Sequence, residues 1–191
     1  MPHRFEDAEA WAKVFDDPER DAWQEPDRVI ASLALDKTMR VADIGAGTGY
    51  FAVRIAPLVA EVIATDVEAD MVRYLRERAE REGHANLRAV TTPPDDPQLA
   101  AASVDRILVV DVWHHLGDRR AYAAKLAAAL APDGFIAVVD FKLDATRGPP
   151  PEHRLGPDAI IADLEAAGLR ATVVLELGDQ YVIHARATPP P

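Results

Sequence analysis

The sequence alternates between short runs of β-branched and other apolar residues and longer stretches with the period of an amphipathic helix. The short runs are almost continuously apolar, as strands are when helices cover both faces of a parallel sheet. The last two runs are joined only by Gly178-Asp179-Gln180, too short a link for a crossover helix, so one of them must run antiparallel. The predicted strands are Val41–Ile44, Val62–Asp66, Leu87–Thr91, Val104–Val110, Phe135–Phe141, Thr172–Leu177 and Tyr181–Ala185.

The stretches between these strands predict helices, and hence an α/β fold: a Rossmann-like three-layer sandwich with a mostly parallel seven-stranded sheet ending in an antiparallel hairpin. In the most regular helix, Ala69–Glu82, apolar residues recur on one face and Gly83 provides a stop. Asp118 has the position of an N-cap, and Pro132-Asp133-Gly134 that of the turn that ends the same helix. The remaining predicted helices are Ala8–Phe15, Glu19–Trp23, Asp27–Leu35, Tyr50–Leu58, a weak one at Pro97–Ala102, Asp118–Leu130 and Pro157–Ala167.

A length of 191 residues suits one domain with its own hydrophobic core. We expect an N-terminal helical cap over residues 1–35, the α/β domain over 36–188 and a stiff proline tail over 189–191. The 21 basic and 32 acidic residues give a net charge of −11, which disfavours nucleic acid as a partner because phosphate contacts need clustered Lys and Arg. The lack of Cys excludes disulfides, thiol nucleophiles and Cys-ligated metals.

Neither a signal peptide nor a membrane span is predicted. The first residues are mixed and charged, and the longest apolar runs fall well short of the roughly 20 residues that a spanning helix needs. We therefore expect a cytoplasmic protein with no membrane partner. The sequence leaves open whether it is a monomer or a homodimer.

The most informative loop follows the first strand, where Gly45, Gly47 and Gly49 alternate. Glycines there allow positive φ and let a ligand approach the main chain. Tyr50 stands where a dinucleotide-binding fingerprint needs Gly, and Tyr50-Phe51 replaces the Lys and Ser or Thr of a P-loop. The loop therefore predicts a ligand site of another kind at the carboxyl end of this strand.

Two acids flank the loop. Asp43 lies just before Gly45, and Asp66 closes the second strand, which neighbours the first in the sheet. A carboxylate at the position of Asp66 can accept two hydrogen bonds from a ribose diol. The alternatives are structural: Asp66 could cap the following helix, and Asp43 could pair with backbone at the strand end.

With these residues in view, the segment Val41–Leu58 and Asp66 resembles motifs I and II of the class I S-adenosylmethionine-dependent methyltransferases. The order of elements over Asp36–Ala187 is similar to that family's seven-stranded fold. The resemblance implies S-adenosyl-L-methionine as cofactor, with the loop against its methionine end, Asp43 serving its ammonium and Asp66 its ribose hydroxyls. The cofactor has no phosphate, which agrees with a loop free of Lys and Arg. The implied cofactor residues are Asp43, Gly45, Ala46, Gly47, Gly49, Asp66, Val67 (against the adenine), Met71, Thr92 and Asp111.

The sequence departs from the family after the third strand. Many members carry Gly-Asp-Ala there, and the Asp receives the adenine amino group, whereas this chain is rich in proline. Asp95 or Asp96 could replace that Asp after an insertion, or Thr92 could contribute through its backbone. These alternatives remain open.

The chemistry is expected after the fourth strand, in the stretch Asp111-Val112-Trp113-His114-His115, which in the resembled family faces the transferable methyl group. It is not the Asn/Asp-Pro-Pro-Tyr motif of adenine or glutamine methylation. We predict His114 and His115 as candidates for a base that deprotonates an acceptor, because His has an ordinary pKa of about 6.5. The alternative is that one hydrogen-bonds the strand end and the other packs beneath the N-terminal helices.

No metal is predicted. Asp111 and Asp140 could both reach a hard cation, but the resembled metal-assisted enzymes carry Asp-Asn after the fifth strand and this chain has Asp140-Phe141-Lys142. A Lys beside the site would oppose a divalent ion.

Segments outside the sheet are expected to form the mouth for a small organic acceptor, methylated at O, N or C. A non-catalytic S-adenosylmethionine-binding protein is the alternative. A nicotinamide-dependent oxidoreductase is disfavoured by Tyr50 and the terminal hairpin, and aminopropyl transfer by the lack of an acidic diamine site. The candidate mouth residues are Trp11, Phe15, Arg20 and Trp23 of the cap, Arg147, His153 and Arg154 of the loop 142–156, and Gln180-Tyr181.

Overall fold

The computed structural model describes residues 11, 12, 14 and 16–187, which form an α/β fold around one seven-stranded sheet. Its strands are β1 Arg40–Ile44, β2 Glu61–Asp66, β3 Leu87–Thr91, β4 Val104–Val110, β5 Leu130–Phe141, β6 Leu169–Glu176 and β7 Gln180–Ala187. They lie in the order β3-β2-β1-β4-β5-β7-β6. The order reverses between β1 and β4, which is the position where sheets of this kind open a crevice for ligands.

Strands β1 to β5 run parallel to one another, whereas β7 is antiparallel to both β5 and β6. The predicted mostly parallel sheet with a terminal hairpin is confirmed. Ile44 of β1 pairs with Thr65 of β2 and Val109 of β4, so these three strands end together. The residues that follow them therefore meet along one edge, which we call the carboxyl edge.

Helices cover both faces of the sheet, which confirms the three layers. The helices are α1 Arg20–Gln24, α2 Pro26–Ser32, α3 Ala52–Ile55, α4 Ala69–Glu82, α5 Arg119–Ala129 and α6 Pro157–Ala166, with 3₁₀ turns at Ala56–Leu58, Trp113–His115 and Pro151–His153. On one face α3 and α4 bury Ile55 and Leu75 against the sheet. On the other, α5 and α6 bury Leu126 and Ile160. The alternating sides of the strands thus supply two cores.

Two local helix signals act as predicted. Helix α4 ends at Gly83, whose φ of 77° is the left-handed conformation that glycine adopts at low cost. Asp118 caps α5, because its Oδ1 accepts the backbone N–H of Ala121 at 3.0 Å. In both cases the residue at the helix boundary, predicted from the local sequence, forms the cap.

The predicted helix Pro97–Ala102 is wrong. Gln98 and Ala102 have positive φ values of 51° and 50°, which a right-handed helix cannot include. The segment follows an irregular path in which Asp96 accepts the N–H of Gln98 at 2.8 Å. The connection from β3 to β4 therefore contains no helix.

Strand β5 begins at Leu130 instead of Phe135, so the predicted turn is an irregularity within the strand, with Asp133 at φ 65°. Residues 1–10, 13, 15 and 188–191 lie outside the described residues, and with them part of the predicted helix Ala8–Phe15 and the proline tail. The division into cap, domain and tail stays a prediction. Within the described part of the chain, no helix is both long and apolar enough to cross a membrane.

Candidate active site

The glycine loop follows β1 and adopts the conformation that its sequence requires. Gly45, Gly47 and Gly49 have φ values of 68°, 56° and 91°. A Cβ at Gly45 would lie 2.4 Å from Cγ2 of Val112, so the loop packs directly against the segment that follows β4. The N–H of Ala46 donates to the carbonyl of Thr65 at 2.9 Å, which attaches the loop to the end of β2.

Asp66 fixes the other side of this loop. Its Oδ2 accepts the N–H of Gly47 at 2.8 Å and its Oδ1 that of Glu68 at 2.9 Å. The N-cap of α4 is Glu68, without a side-chain capping bond, so Asp66 is not the helix cap. Burial raises the pKa of Asp66, although the hydrogen bonds from Glu68 and Gly47 oppose that shift. Its place at the end of β2 is the one that a ribose-binding acid needs.

Asp43 is almost wholly buried on β1, with 3% of its surface exposed. Burial, with a contribution from the negative charge of Asp66, raises the pKa of Asp43 to about 7, while the charge of Arg20 lowers it. A buried acid in this state favours a cationic partner, because a positive charge nearby would stabilise its ionised form.

The other predicted cofactor residues differ in how exposed their side chains are. Val67 is half exposed beside Asp66, as an adenine-contacting side chain would be, with 51% of its surface accessible. Thr92 is buried at the end of β3, and its N–H donates to the carbonyl of Asp66 at 2.9 Å. Met71 is only 1% exposed in the first turn of α4 and forms part of the interior. Its contact with the cofactor stays a prediction.

The acids proposed for the adenine differ in their surroundings. Asp96 pairs with Lys125 of α5, with Nζ 3.3 Å from Oδ2, and Asp95 is exposed and offers its carbonyl to the same Lys125 at 2.7 Å. Thr92, by contrast, is bonded to Asp66 through its backbone N–H. The choice among the three stays open as a prediction.

Asp111 follows β4 in a left-handed conformation, with φ 58°. It accepts a hydrogen bond from Nε2 of Gln180, the first residue of β7. Burial, followed by the charge of Asp140, raises the pKa of Asp111 to about 7, against the charges of Arg20 and His114. Asp43 and Asp111 thus share the same unusual state at the ends of the two central strands.

His114 forms a buried pair with Asp140 of β5. Nδ1 lies 2.9 and 3.1 Å from the two carboxylate oxygens, and the side chains are 3% and 0% exposed. The pair forms because β4 and β5 are parallel neighbours whose ends meet at the carboxyl edge. Burial opposes the imidazolium, but the hydrogen bond and charge of Asp140, with the charge of Asp111, outweigh it and raise the pKa of His114.

His115, the other predicted catalytic candidate, is exposed, with its ring centre 4.2 Å from that of His114. The structure therefore distinguishes the two histidines, since it is His114 that has the hydrogen bond to a buried carboxylate. Sequence reasoning considered Asp140 only as a metal ligand and missed this pairing. Within the described residues there is no group of three or more His, Cys, Asp or Glu side chains suited to a metal.

The rim of the site contains some of the predicted mouth residues. Trp23 of α1 stacks on Phe141 at 5.9 Å between ring centres, and the guanidinium of Arg147 lies 5.3 Å from the Trp23 ring. Arg147 also pairs with Asp179 at 2.9 Å. Trp11 is half-buried, His153 is exposed, and Phe15 lies outside the described residues.

Arg154 bonds to the backbone of its own loop, and its contact with an acceptor stays a prediction. Its guanidinium donates to loop carbonyls, among them those of Pro149 at 2.8 Å and Ala145 at 2.6 Å. These bonds hold the loop 142–156 together from within. Gly148, at φ 89°, presses against the ring of Phe141, where a Cβ would lie 2.6 Å from two ring carbons. The loop is thus fixed over the end of β5.

The geometry can now be compared with known proteins. A family model described as a methyltransferase domain matches residues 41–134. The crystal structure of a SAM-dependent methyltransferase from Aquifex aeolicus superposes with a TM-score of 0.86 at 28% identity, and covers 94% of this chain and 97% of its own. The predicted resemblance to the class I S-adenosylmethionine-dependent methyltransferases is confirmed, and residues 41–134 carry the matching methyltransferase domain.

Relatives in this family match shorter stretches. The uncharacterized methyltransferase YcgJ of Bacillus subtilis is 33% identical over 101 residues, which are 53% of this chain and 40% of the relative. The tRNA 5-carboxymethoxyuridine methyltransferase of Escherichia coli is 30% identical over 119 residues, 61% of this chain and 45% of the relative. This chain therefore spans about half the length of the curated relatives it matches.

The residues present fit the cofactor of the family, S-adenosylmethionine. A positive charge nearby would stabilise the ionised forms of Asp43 and Asp111, and this cofactor carries a sulfonium and an ammonium. Asp66 presents a carboxylate at the position predicted for a ribose-binding acid, and the loop has no Lys or Arg that a phosphate would need. The donor set thus suits a cationic nucleoside without phosphate.

Proposed function

We propose that this chain transfers the methyl group of S-adenosylmethionine to an O–H or N–H group of a small organic acceptor. The observation that carries the proposal is the buried pair of His114 and Asp140 at the carboxyl edge. The segment with His114 touches the glycine loop, because Val112 packs against Gly45. The base and the residues assigned to the cofactor are therefore neighbours, as a transfer between two bound molecules requires.

Asp140 defines the task of each ring nitrogen of His114. Its carboxylate accepts from Nδ1–H, so the neutral ring carries its lone pair on Nε2. When bound, S-adenosylmethionine supplies an electrophilic methyl group. Nε2 would take the proton that the O–H or N–H group of the acceptor loses on methylation. Asp140 stabilises the imidazolium that results.

A small acceptor is supported by what borders the site. The described rim consists of α1 and the loop 142–156, and no separate substrate domain lies among the described residues. The net charge of −11 opposes a polyanion. The relative that acts on tRNA makes nucleic acid the class against which this proposal has to be tested.

The decisive experiment combines binding and transfer. Calorimetry with S-adenosylmethionine and S-adenosylhomocysteine tests the site, and an Asp66→Ala variant should bind both far more weakly while staying folded. Transfer of labelled methyl is then measured to a panel of phenols, carboxylic acids and amines, and to bulk tRNA. On an active acceptor, His114→Gln should lower kcat by about 10²- to 10⁴-fold with cofactor affinity unchanged.

His115→Gln is the matched control, and we expect it to change kcat only a few-fold, roughly the effect of an exposed substitution. Equal losses in both variants would remove His114 from the role of base. Cofactor binding without transfer to any compound would favour the non-catalytic alternative, and methylation of tRNA alone would overturn the small acceptor. Absence of binding up to about 1 mM ligand, a free energy weaker than about 4 kcal/mol, would sink the proposal as a whole.

A further inference from the structure

Three arginines lie side by side near the amino edge of the sheet, where β1 and β4 begin, opposite the carboxyl edge. Arg106 of β4 and Arg186 of β7 are both in register with Phe135 of β5, and Arg170 of β6 lies directly opposite Arg186. Residues in register on neighbouring strands project to the same face of a sheet. Arg106, Arg170 and Arg186 therefore form one group, which we call the arginine cluster.

The arginine cluster forms no ion pair with any described residue. Most other arginines in the described part of the chain do, such as Arg88 of β3 with Glu61 of β2 at 3.9 Å. Arg106, only 9% exposed, donates instead from Nε and Nη1 to the carbonyls of Leu33 and Asp105 at 2.8 and 2.7 Å. A buried guanidinium that bonds to carbonyls but to no carboxylate keeps its positive charge without a counter-ion.

The acids nearest to Arg106 are bonded elsewhere. Its charge interacts with those of Asp105 and Asp36. Oδ2 of Asp105 accepts the backbone N–H of Arg40 at 2.7 Å, and Oδ1 of Asp36 accepts that of Thr38 at 2.8 Å. Neither carboxylate therefore neutralises the cluster.

The titration of neighbouring groups indicates that positive charge is in excess here. His184 precedes Arg186 by two residues on β7, is 8% exposed and has its ring centre 4.3 Å from that of Phe135. Burial, followed by the charges of Arg186 and Arg106, lowers the pKa of His184 to about 4. Burial and the charge of Arg186 also lower the pKa of Arg106. Groups that disfavour each other's positive charge all gain from a bound anion.

The outer part of the arginine cluster is accessible and holds donors in place. Cζ of Arg186 lies 4.2 Å from the ring centre of Phe135, and Cζ of Arg106 lies 4.3 Å from it. A guanidinium stacked on a ring keeps its N–H donors in its own plane, where they can bond to an oxyanion. Arg186, Arg170 and Thr172 are exposed, so a ligand can reach this face from solvent.

Like charges directly opposite each other on neighbouring strands destabilise a sheet, and Arg170 and Arg186 are such a pair. We propose that the arginine cluster binds a small polyvalent oxyanion between Arg170 and Arg186, above the buried charge of Arg106. Phosphate groups and polycarboxylates share the chemistry that guanidiniums recognise. The site lies at the opposite edge of the sheet from the proposed methyl transfer and does not depend on it.

The test measures binding of phosphate, pyrophosphate and citrate to the full chain at constant ionic strength, by NMR of the arginine Nε–H resonances. We expect saturable shifts of the Arg106 and Arg186 resonances, with a Kd of about 1 mM or lower for pyrophosphate, the range for two charge-assisted hydrogen bonds. Tighter binding of pyrophosphate than of citrate would assign the site to phosphate groups, and the reverse order to polycarboxylates.

Arg186→Gln should weaken pyrophosphate by about 10- to 100-fold, because it removes a charged donor. Arg88→Gln is the matched control, since Arg88 is an exposed arginine on the strand at the other side of the sheet. It should keep the wild-type Kd.

Arg170→Glu gives a second measurement, of opposite sign. It places a carboxylate opposite Arg186, so it should raise the urea midpoint in phosphate-free buffer while abolishing pyrophosphate binding. Pyrophosphate at about ten times its Kd should raise the Tm of the wild type by about 3–5 °C and leave that of Arg170→Glu unchanged. Because Arg170 is exposed on an edge strand, this variant tests the site without disturbing the core.

Three outcomes would overturn the proposal. Shifts that do not saturate would mean that the anions act on the whole surface. Equal losses in Arg186→Gln and Arg88→Gln would mean that any exposed arginine serves as well. Wild-type affinity or a wild-type rise in Tm in Arg170→Glu would remove the pair on β6 and β7 from the binding of anions.

Discussion

The two halves of the carboxyl edge are built by different means. The half that we propose for the cofactor, the cofactor half, consists of the glycine loop with Asp43 and Asp66 at the ends of β1 and β2. It is held mainly by backbone groups, such as the N–H of Gly47 on Asp66. The acceptor half, at the ends of β4, β5 and β7, is held by side chains: His114 on Asp140, and Gln180 on Asp111. Each half has one acid whose pKa is raised to about 7: Asp43, the last residue but one of β1, and Asp111, the residue after β4.

The two halves therefore depend on the amino-acid sequence in different ways. Backbone bonds depend on conformation, so the cofactor half tolerates many residues but needs glycine at its left-handed positions. Side-chain bonds depend on residue identity, so substitutions in the acceptor half remove the bonds themselves, and because His114 and Asp140 are buried they lower stability as well as alter chemistry. The experiments below separate these two kinds of dependence.

The largest effect is expected from Asp140→Asn in the acceptor half. The neutral amide removes the charge that orients and stabilises His114, and kcat should fall by about 100-fold or more. Because Asp140 raises the pKa of His114, the base form of the wild type exists only above that raised pKa, and the rate should increase with pH through it. In Asp140→Asn the rising limb should move to lower pH.

This pH profile is measured as kcat against pH on an active acceptor, with S-adenosylhomocysteine affinity as the control. A lower rate with an unmoved profile would mean that Asp140 positions the segment without acting on the His114 proton. A large loss of cofactor affinity would show that the two halves are not separable.

A smaller effect, on stability, is expected from Gly45→Ala in the cofactor half. Its left-handed φ and the 2.4 Å approach of a Cβ to Val112 should together lower the free energy of unfolding by about 2–4 kcal/mol. Gly83→Ala is the matched control, because Gly83 has φ 77° but no atom within 4 Å of its would-be Cβ. It should cost only about 1 kcal/mol in urea unfolding. Equal costs would mean that the contact with Val112 yields freely.

The smallest expected effect is the release of protons from Asp43 and Asp111, one acid in each half, when a cationic ligand binds. Asp43 and Asp111 have pKa values raised to about 7, so each is largely protonated below pH 7 in the free protein. A cationic ligand lowers both values, so its binding should release protons and its affinity should rise from pH 5 to 8. Calorimetry of S-adenosylmethionine in buffers of different ionisation enthalpy measures this release, which Asp43→Asn should reduce. Proton uptake, or none, would contradict the predicted state of these acids.

Local signals account for what could be predicted. The strand, the alternating glycines and the following helix are contiguous in the sequence. The conformation of Gly45 to Gly49 therefore follows from neighbouring residues. Asp66 was predictable because it ends the strand next to β1. The helix predicted at Pro97–Ala102 failed because its residues carry no strong periodicity and Gln98 and Ala102 take left-handed conformations instead.

The acceptor half was predicted only in part. The sequence singles out His114 and His115 equally, because adjacent histidines in one stretch carry no sign of which meets a carboxylate. Asp140 lies 26 positions beyond His114, and the bond of Gln24 to Gln180 spans 156 positions. The sequence places Gln180 among the candidate mouth residues, but nothing in the local pattern of either glutamine indicates that the two bond to each other.

The sequence by itself determines the α/β layering, the terminal hairpin and the cofactor half, because strand periodicity, loop length and glycine conformation are short-range properties of the chain. Only the tertiary structure decides that His114 pairs with Asp140 and that Arg20 is held beside Asp111. Those contacts exist because parallel strands end at a common edge and because α1 folds back onto it. These interactions are strengthened by the low dielectric of the interior, and a buried environment forms only when several segments pack together.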